Sequence, residues 1–157
     1  MSAPLRILIT GQHGQVSQAL QHSLKDLGEL IVLGREQLDL SQPESIRVVV
    51  RELKPGLIIN AAAYTAVDQA ESEPDLALAI NATSPGVLAE EAAALGIPLI
   101  HYSTDYVFDG SKDGPWTESD TPNPLGVYGS SKLAGEQAIE KAGGQYLILR
   151  TSWVYSL

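Results

Sequence analysis

The stretch Leu5-Arg6-Ile7-Leu8-Ile9-Thr10-Gly11-Gln12-His13-Gly14-Gln15-Val16-Ser17 decides the fold. A short aliphatic, β-branched run reaches a glycine turn, and a pattern with helical spacing begins directly after it. Such a run predicts a buried strand, and the glycines predict a tight strand-to-helix turn. Glycine lets a ligand approach the backbone there, and the helix N-terminus adds unpaired N–H groups and a positive dipole. Gly11, Gly14, Gln15 and Val16 are therefore candidates to cradle a pyrophosphate. Alone the motif is weak evidence, because any strand-to-helix turn can use glycine; the strand before it and the helix after it give it weight.

Outward from this stretch, apolar β-branched runs recur at Leu5 to Thr10, Glu29 to Leu33, Leu57 to Asn60, Pro98 to Ser103 and Tyr146 to Thr151. They read as five buried strands. Between them, Gly14 to Asp26, Pro43 to Leu53, Pro74 to Leu95 and about Val127 to Lys141 carry apolar residues at helical spacing. Alternating strand and helix predicts an α/β protein with a doubly wound parallel sheet covered on both faces, since parallel neighbours need crossover connections. Ser41, standing before Gln42-Pro43, is the expected start signal of the second helix. The one long irregular segment, Asp105 to Leu125, carries Tyr106, Phe108 and Trp116 and reads as a site loop rather than a linker.

The composition excludes several classes. The chain has 157 residues, enough for one domain with a sizeable core, and its 44% hydrophobic content argues against disorder. With 19 acidic against 10 basic residues and a net charge of −9, it lacks the basic clusters that nucleic acid or an anionic membrane surface would require. No cysteine is present, and His13, His22 and His101 are too scattered for metal-ligand spacing, so no metal site is expected. The apolar run before Gly11 is too short for a signal-peptide core, and no run approaches the length of a membrane span. The expectation is a cytoplasmic protein.

Two further motifs carry chemistry. Tyr128-Gly-Ser-Ser-Lys132 places a phenol and an ammonium four residues apart on one helix face. A nearby cation favours phenolate and lowers a pKa that starts near 10, as acid–base work on a carbonyl requires. The bland alternative is a surface Tyr and Lys on an amphipathic helix. In His101-Tyr-Ser-Thr-Asp-Tyr-Val-Phe-Asp-Gly110 the fourth strand ends at Ser103 and Thr104, and a hydroxyl at that end can bond a substrate carbonyl. A plain strand-exit cap is the alternative reading there. His101 is assigned to structure.

The glycine spacing, Gly-x-x-Gly-x-x-small, points to the short-chain dehydrogenase branch of dinucleotide-binding folds. With Asn60 to Pro74, Ile80 to Thr83, His101 to Gly110, Tyr128 to Glu136 and Arg150 to Tyr155, the chain closely resembles the dTDP-4-dehydrorhamnose reductase family of extended short-chain dehydrogenases. The resemblance spans almost the whole chain but only about the first half of a typical member. It implies that residues 1–157 are an NAD(P)-binding Rossmann domain, with later strands and most of the substrate-binding lobe absent. It implies NAD(P)H-dependent reduction of dTDP-4-dehydro-6-deoxy-L-mannose to dTDP-L-rhamnose, a cell-envelope precursor. By resemblance, Tyr128 donates the proton, Lys132 binds the nicotinamide ribose and lowers the Tyr128 pKa, and Thr104 orients the carbonyl. Asp105 and Trp153 match positions that contact the deoxysugar nucleotide, Asp39 and Leu40 the pair near the adenine, and Ala62, Ala63, Tyr64 and Thr65 the third-strand exit that lines the cofactor. Asn81 matches a helix position linked to a proton relay.

Two departures from the family pattern matter. Ser17 replaces the usual third glycine of helix–strand packing, a small change. Gly34-Arg35 stands where many relatives carry a carboxylate for the ribose diol, and an adjacent guanidinium suits a 2′-phosphate. NADPH is therefore the expected cofactor, with NADH as the alternative, and Mg²⁺ and a homodimer are left open. Rival functions are a non-catalytic NADP-binding module related to the regulatory subunit of methionine adenosyltransferase, and a nucleotide-sugar epimerase or dehydratase. Retention of Tyr128, Lys132 and Thr104 argues against the first. Against a dehydratase, Thr104 is followed by Asp105-Tyr106 rather than by an acidic pair.

Overall fold

The computed structural model describes residues 4–155. The first three residues of the run read for a signal peptide, and the last two of the chain, lie outside the described residues. Five strands form one parallel sheet: β1 (Arg6–Thr10), β2 (Glu29–Leu33), β3 (Leu57–Asn60), β4 (Leu99–Thr104) and β5 (Tyr146–Thr151). Each expected strand is present to within a residue, because short β-branched runs bounded by glycine, proline or charge have few other low-energy solutions. The spatial order is β2-β1-β3-β4-β5. From β1 the chain steps one way to β2, then crosses back over β1 to β3. The order thus reverses between β1 and β3, and a crevice opens beyond their carboxyl ends.

Side chains alternate across the sheet. Leu8, Ile58 and Leu99 meet Ile46 and Val50 of α2 (Pro43–Leu53), Val87, Leu88 and Ala92 of α5 (Ser84–Leu95), and Ile139 of α6 (Val127–Ala142). Ile7, Ile9 and Ile59 point the other way, toward Leu20 of α1 (Gln15–Ser23) and Leu24 just beyond it. Full burial of each such side chain stabilises the fold by about 1.5–3 kcal/mol. Helices lie on both faces of the sheet, as expected. Three crossover helices share one face, α1 lies on the other, and Leu147 and Leu149 on β5 remain exposed.

Two helical details differ from the sequence reading. Ser41 does not cap α2: its N–H (2.9 Å) and hydroxyl (2.7 Å) both go to Asp39 Oδ1, and Gln42 takes the cap position without a side-chain bond. The single helix expected over Pro74 to Leu95 is broken into α4 (Pro74–Leu78), a π-turn over Ala79–Thr83, and α5. Pro85 lacks the N–H that would bond the Asn81 carbonyl, and its ring crowds that carbonyl, so the turn widens. The Ser84 N–H instead reaches Ala79, five residues back. A one-turn helix, α3 (Val67–Ala70), had no sequence signal long enough to read.

The widened turn receives α6. A Cβ on Gly135 would lie 2.1 Å from the Asn81 carbonyl oxygen, so only glycine permits this approach. The glycine in the middle of α6 costs about 1 kcal/mol of helix propensity and lets the helix that carries Tyr128 and Lys132 sit against the π-turn.

Candidate functional site

The crevice between β1 and β3 is a cleft of about 500 Å³ lined by Thr10, Gly11, Gly34, Arg35, Asp39, Leu40 and Ala62 to Ala66, with further residues from α3 and α4. Gly11 adopts φ +82°, and a Cβ there would come within 3.0 Å of Ala62. Glycine is therefore required twice over, for its backbone angle and for the width of the crevice. The Gly14 cap of α1 makes no side-chain bond, which leaves the first N–H groups of that helix free of protein caps. A narrow crevice floored by glycine beside such a helix start fits a dinucleotide pyrophosphate. Ser17 is buried against the sheet, as a third glycine would be.

At the rim, Arg35 is 80% exposed and its Nε lies 3.7 Å from Asp39 Oδ2. The Asp39 carboxyl is held below its ordinary range, chiefly by the Ser41 hydrogen bonds and secondly by Arg35. On the opposite wall the Tyr64 hydroxyl donates to Glu73, which also accepts from Gln69 Nε2 at 2.9 Å. That bond pushes the Tyr64 phenol up to about 12. Gln15 and Val16 do not line this cleft; their side chains border a separate hollow with Tyr102, Val154 and Tyr155.

Beyond the end of β4, Asp105, Tyr106, Phe108, Trp116, Leu125 and Tyr128 line a second hollow of about 440 Å³. Thr104 Oγ1 accepts the Tyr106 N–H at 3.2 Å, and the Tyr106 ring meets Tyr128 edge-on, 5.4 Å between centroids. The Tyr128 phenol is half-buried and titrates above its usual 10: burial is the main cause, the Thr104 side chain opposes it, and Asp105 and Tyr106 add to it. Lys132 is 2% exposed, and its ammonium donates to the Tyr102 carbonyl at 2.6 Å. Burial lowers its pKa to about 8, with Glu136 opposing.

The lowered phenol pKa expected from Lys132 is thus not found. The ammonium is turned to Tyr102, and burial of Tyr128 dominates. A phenol held protonated suits proton donation rather than proton abstraction. Trp153 is 80% exposed and lines neither of these two cavities.

The irregular segment after β4 is held from within. A turn over Asp105–Val107 opens it, the Asn123 N–H returns to the Val107 carbonyl at 2.9 Å, and Phe108 stacks on Trp116 at 4.4 Å. Arg150 lies 5.0 Å from the Phe108 ring and forms a two-point ion pair with buried Glu136, at 2.6 and 2.9 Å.

His101, assigned to structure, has a partner that sequence could not supply. Thr10, Asn60 and His101 are register neighbours on β1, β3 and β4. The Thr10 hydroxyl donates to Asn60 Oδ1 at 2.7 Å, so Asn60 Nδ2 donates onward to His101 Nδ1 at 3.0 Å. Asn81 uses both its amide hydrogens, one on the Tyr64 carbonyl and one on Ser131 Oγ, each at 3.0 Å. Among the described residues no group of three His, Asp or Glu side chains converges as metal ligands, and no helix is long and apolar enough to cross a membrane.

The chain is 49% identical over 156 residues to dTDP-4-dehydrorhamnose reductase of Escherichia coli (strain K12), covering 97% of this chain and 52% of that protein. It is 46% identical over 152 residues to the Burkholderia thailandensis protein of the same name, covering 97% and 51%. Among solved structures, dTDP-4-dehydrorhamnose reductase from Bacillus anthracis, crystallised with NADP, superposes with a TM-score of 0.92 at 40% identity, covering 97% of this chain and 54% of that one. The chain spans about half the length of the relatives it matches. The family model described as RmlD substrate binding domain matches residues 5–157, and the chain belongs to that family.

Proposed function

We propose that residues 1–157 form the dinucleotide-binding and proton-donating half of an NADPH-dependent dTDP-4-dehydrorhamnose reductase, which converts dTDP-4-dehydro-6-deoxy-L-mannose to dTDP-L-rhamnose. The observation that carries the reading is a convergence: a glycine-floored crevice between β1 and β3, and a half-buried Tyr128 phenol one turn of α6 from the buried Lys132. The activity for which the relatives are named and the NADP of the Bacillus anthracis structure support it.

When bound, the reduced nicotinamide supplies hydride. Gly11 and the start of α1 hold the pyrophosphate, with Gln15 and Val16 contributing backbone rather than side chains. Asp39 and Leu40 flank the adenine, and Ala62 to Thr65 form the opposite wall. Arg35, exposed at the rim with one guanidinium edge turned to Asp39, takes a 2′-phosphate and favours NADPH over NADH. Tyr128 delivers its proton to the ketone oxygen as negative charge develops there. The Thr104 hydroxyl orients that oxygen, and Lys132 binds the nicotinamide ribose. Asp105 and Trp153 contact the deoxysugar nucleotide.

The test is to incubate the chain with NADPH and the dTDP-linked 4-keto sugar and follow loss of NADPH absorbance, with Tyr128→Phe as control. Saturable NADPH binding by both proteins, and turnover confined to the wild type, is the expected result. Failure of both to bind NADPH would overturn the reading.

A further inference from the structure

The first turn of α6 lacks a cap of its own. Gly126 occupies the cap position and offers no side chain, yet the Val127 N–H is satisfied: it donates to Glu71 Oε1 at 2.8 Å, across 56 positions of sequence. A Cβ on Gly126 would lie 2.8 Å from the same oxygen, so the carboxylate occupies the space the missing side chain leaves. A carboxylate at a helix N-terminus satisfies an orphan donor and opposes the positive end of the dipole. Here it comes from a distant segment, the residue that ends α3.

That segment has a second role. Tyr64, Thr65, Ala66, Gln69 and Glu73, on either side of Glu71, wall the crevice between β1 and β3, while Val67 reaches the hollow that holds Tyr128. The residue after Val127 is Tyr128. On the far side of the same turn, Gly129 lies so near the Tyr106 carbonyl that a Cβ would come within 2.3 Å of it. The turn is therefore gripped from two sides, and Glu71 is the grip that belongs to the crevice wall.

We infer that Glu71 is a positioning residue for Tyr128: its carboxylate caps the first turn of α6 and ties that turn to the wall of the dinucleotide crevice. The inference rests on the reading of Tyr128 as the proton donor. Filling the crevice then bears on the segment that fixes where the phenol stands.

The test compares Glu71→Ala, which removes the acceptor, with Glu71→Gln, which keeps an acceptor oxygen and loses the charge. In each background the Tyr128 titration is isolated as an ultraviolet difference spectrum against the matching Tyr128→Phe protein. Because Glu71→Gln loses the charge and keeps the acceptor, a shift confined to Glu71→Ala reports geometry rather than lost charge. In Glu71→Ala the turn frays, water reaches the phenol, and its pKa falls back toward 10. Glu71→Gln keeps the wild-type value. Where the chain turns over, Glu71→Ala loses about tenfold in kcat with KM for NADPH within about twofold, as small misplacements of a reacting group do. A Tyr128 titration in Glu71→Ala identical to wild type overturns the inference, whatever happens to the melting temperature. Because that titration needs neither cofactor nor substrate, a wild-type chain that binds no NADPH would sink the functional reading and leave this result standing.

Discussion

Asn81 donates one amide hydrogen to the hydroxyl of Ser131, 50 positions away, and Ser131 passes its own hydrogen to the Tyr128 carbonyl at 2.8 Å. The rest of the Asn81 amide closes a pair with the Tyr64 backbone, accepting from its N–H at 2.8 Å and donating to its carbonyl. One buried side chain therefore ties the exit of β3 to the helix that bears the phenol. Asn81→Ala leaves these groups without partners and should cost about 2–4 kcal/mol, since a stranded buried donor or acceptor loses its full solvation. Asn81→Asp should cost at least as much, because a carboxylate cannot donate to Tyr64 or Ser131. Urea unfolding midpoints decide this; a loss below about 1 kcal/mol for both variants would show the amide to be dispensable.

The close approach of α6 to the π-turn sets helix propensity against sterics. Gly135→Ala would gain about 1 kcal/mol in an open helix, but its Cβ would meet the Asn81 carbonyl at 2.1 Å. Backbone cannot swing aside as a flexible side chain can, so sterics win. We expect a net loss of about 2 kcal/mol or more, of the size measured for overpacked sites. A more stable Gly135→Ala protein, by denaturant melt, would mean that α6 does not sit this close.

How much of this was legible in the sequence depends on the range of each interaction. The strands could be read because a β-branched run between breakers is a local signal, and the Tyr128–Lys132 spacing could be read because helix geometry is local too. The cleft residues Gly11, Arg35, Asp39, Leu40 and Ala62 to Thr65 do gather along one wall-to-wall crevice, as strand ends in a parallel sheet must. Glu71 at Val127, Asn60 at His101 and Asn81 at Ser131 could not be read. Each joins residues more than 40 apart, and a glutamate in a polar loop or an asparagine at a strand end looks the same with or without its partner. The direction of the Tyr128 shift was missed for the same reason: spacing gives proximity to Lys132, whereas the dominant effect is burial by residues from other elements.

His101 gives a pH signature. It is 1% exposed, and burial, with the Lys132 charge second, lowers its pKa from 6.5 to about 3. The folded protein keeps it neutral while the unfolded chain takes up a proton below pH 6.5. Stability from this site is therefore complete above pH 6.5 and is lost as pH falls from there toward 3, at up to about 1.4 kcal/mol per pH unit. His101→Gln keeps an acceptor for Asn60 and removes the proton site. Urea midpoints from pH 7 down to pH 5 should fall more steeply in wild type than in His101→Gln; parallel curves would contradict a buried neutral imidazole.

Arg35 stands at the crevice rim. Its ion pair with Asp39 is long at 3.7 Å and largely exposed, so it holds the guanidinium weakly and leaves it available to a phosphate. Arg35→Ala should weaken NADPH binding about tenfold or more and leave NADH within about twofold, because only the former carries the 2′-phosphate that a guanidinium can bond twice. Fluorescence titration with both dinucleotides measures the ratio. Equal losses for the two would assign Arg35 to general electrostatics and remove the ground for NADPH preference.

Lys132 should trade stability for chemistry. Its ammonium is buried with one carbonyl at 2.6 Å, and burial depresses its pKa to about 8 from an ordinary 10.5. Below pH 8 the folded state carries a charge that burial disfavours; between 8 and 10.5 the unfolded chain binds the proton more tightly than the fold does. Stability therefore rises with pH across that window. Methionine fills nearly the same volume with no charge to desolvate, against the loss of one hydrogen bond to Tyr102. Lys132→Met should accordingly be more stable than wild type at pH 7, by up to about 2 kcal/mol, while losing whatever reductase turnover the wild type shows. Denaturant midpoints at pH 7 and pH 10 make the comparison: the gain should be larger at pH 7 and shrink by pH 10. A Lys132→Met protein that is less stable at both would mean that the bond to Tyr102 outweighs the burial of the ammonium, and that the lysine is a brace of the fold as well as a part of the site.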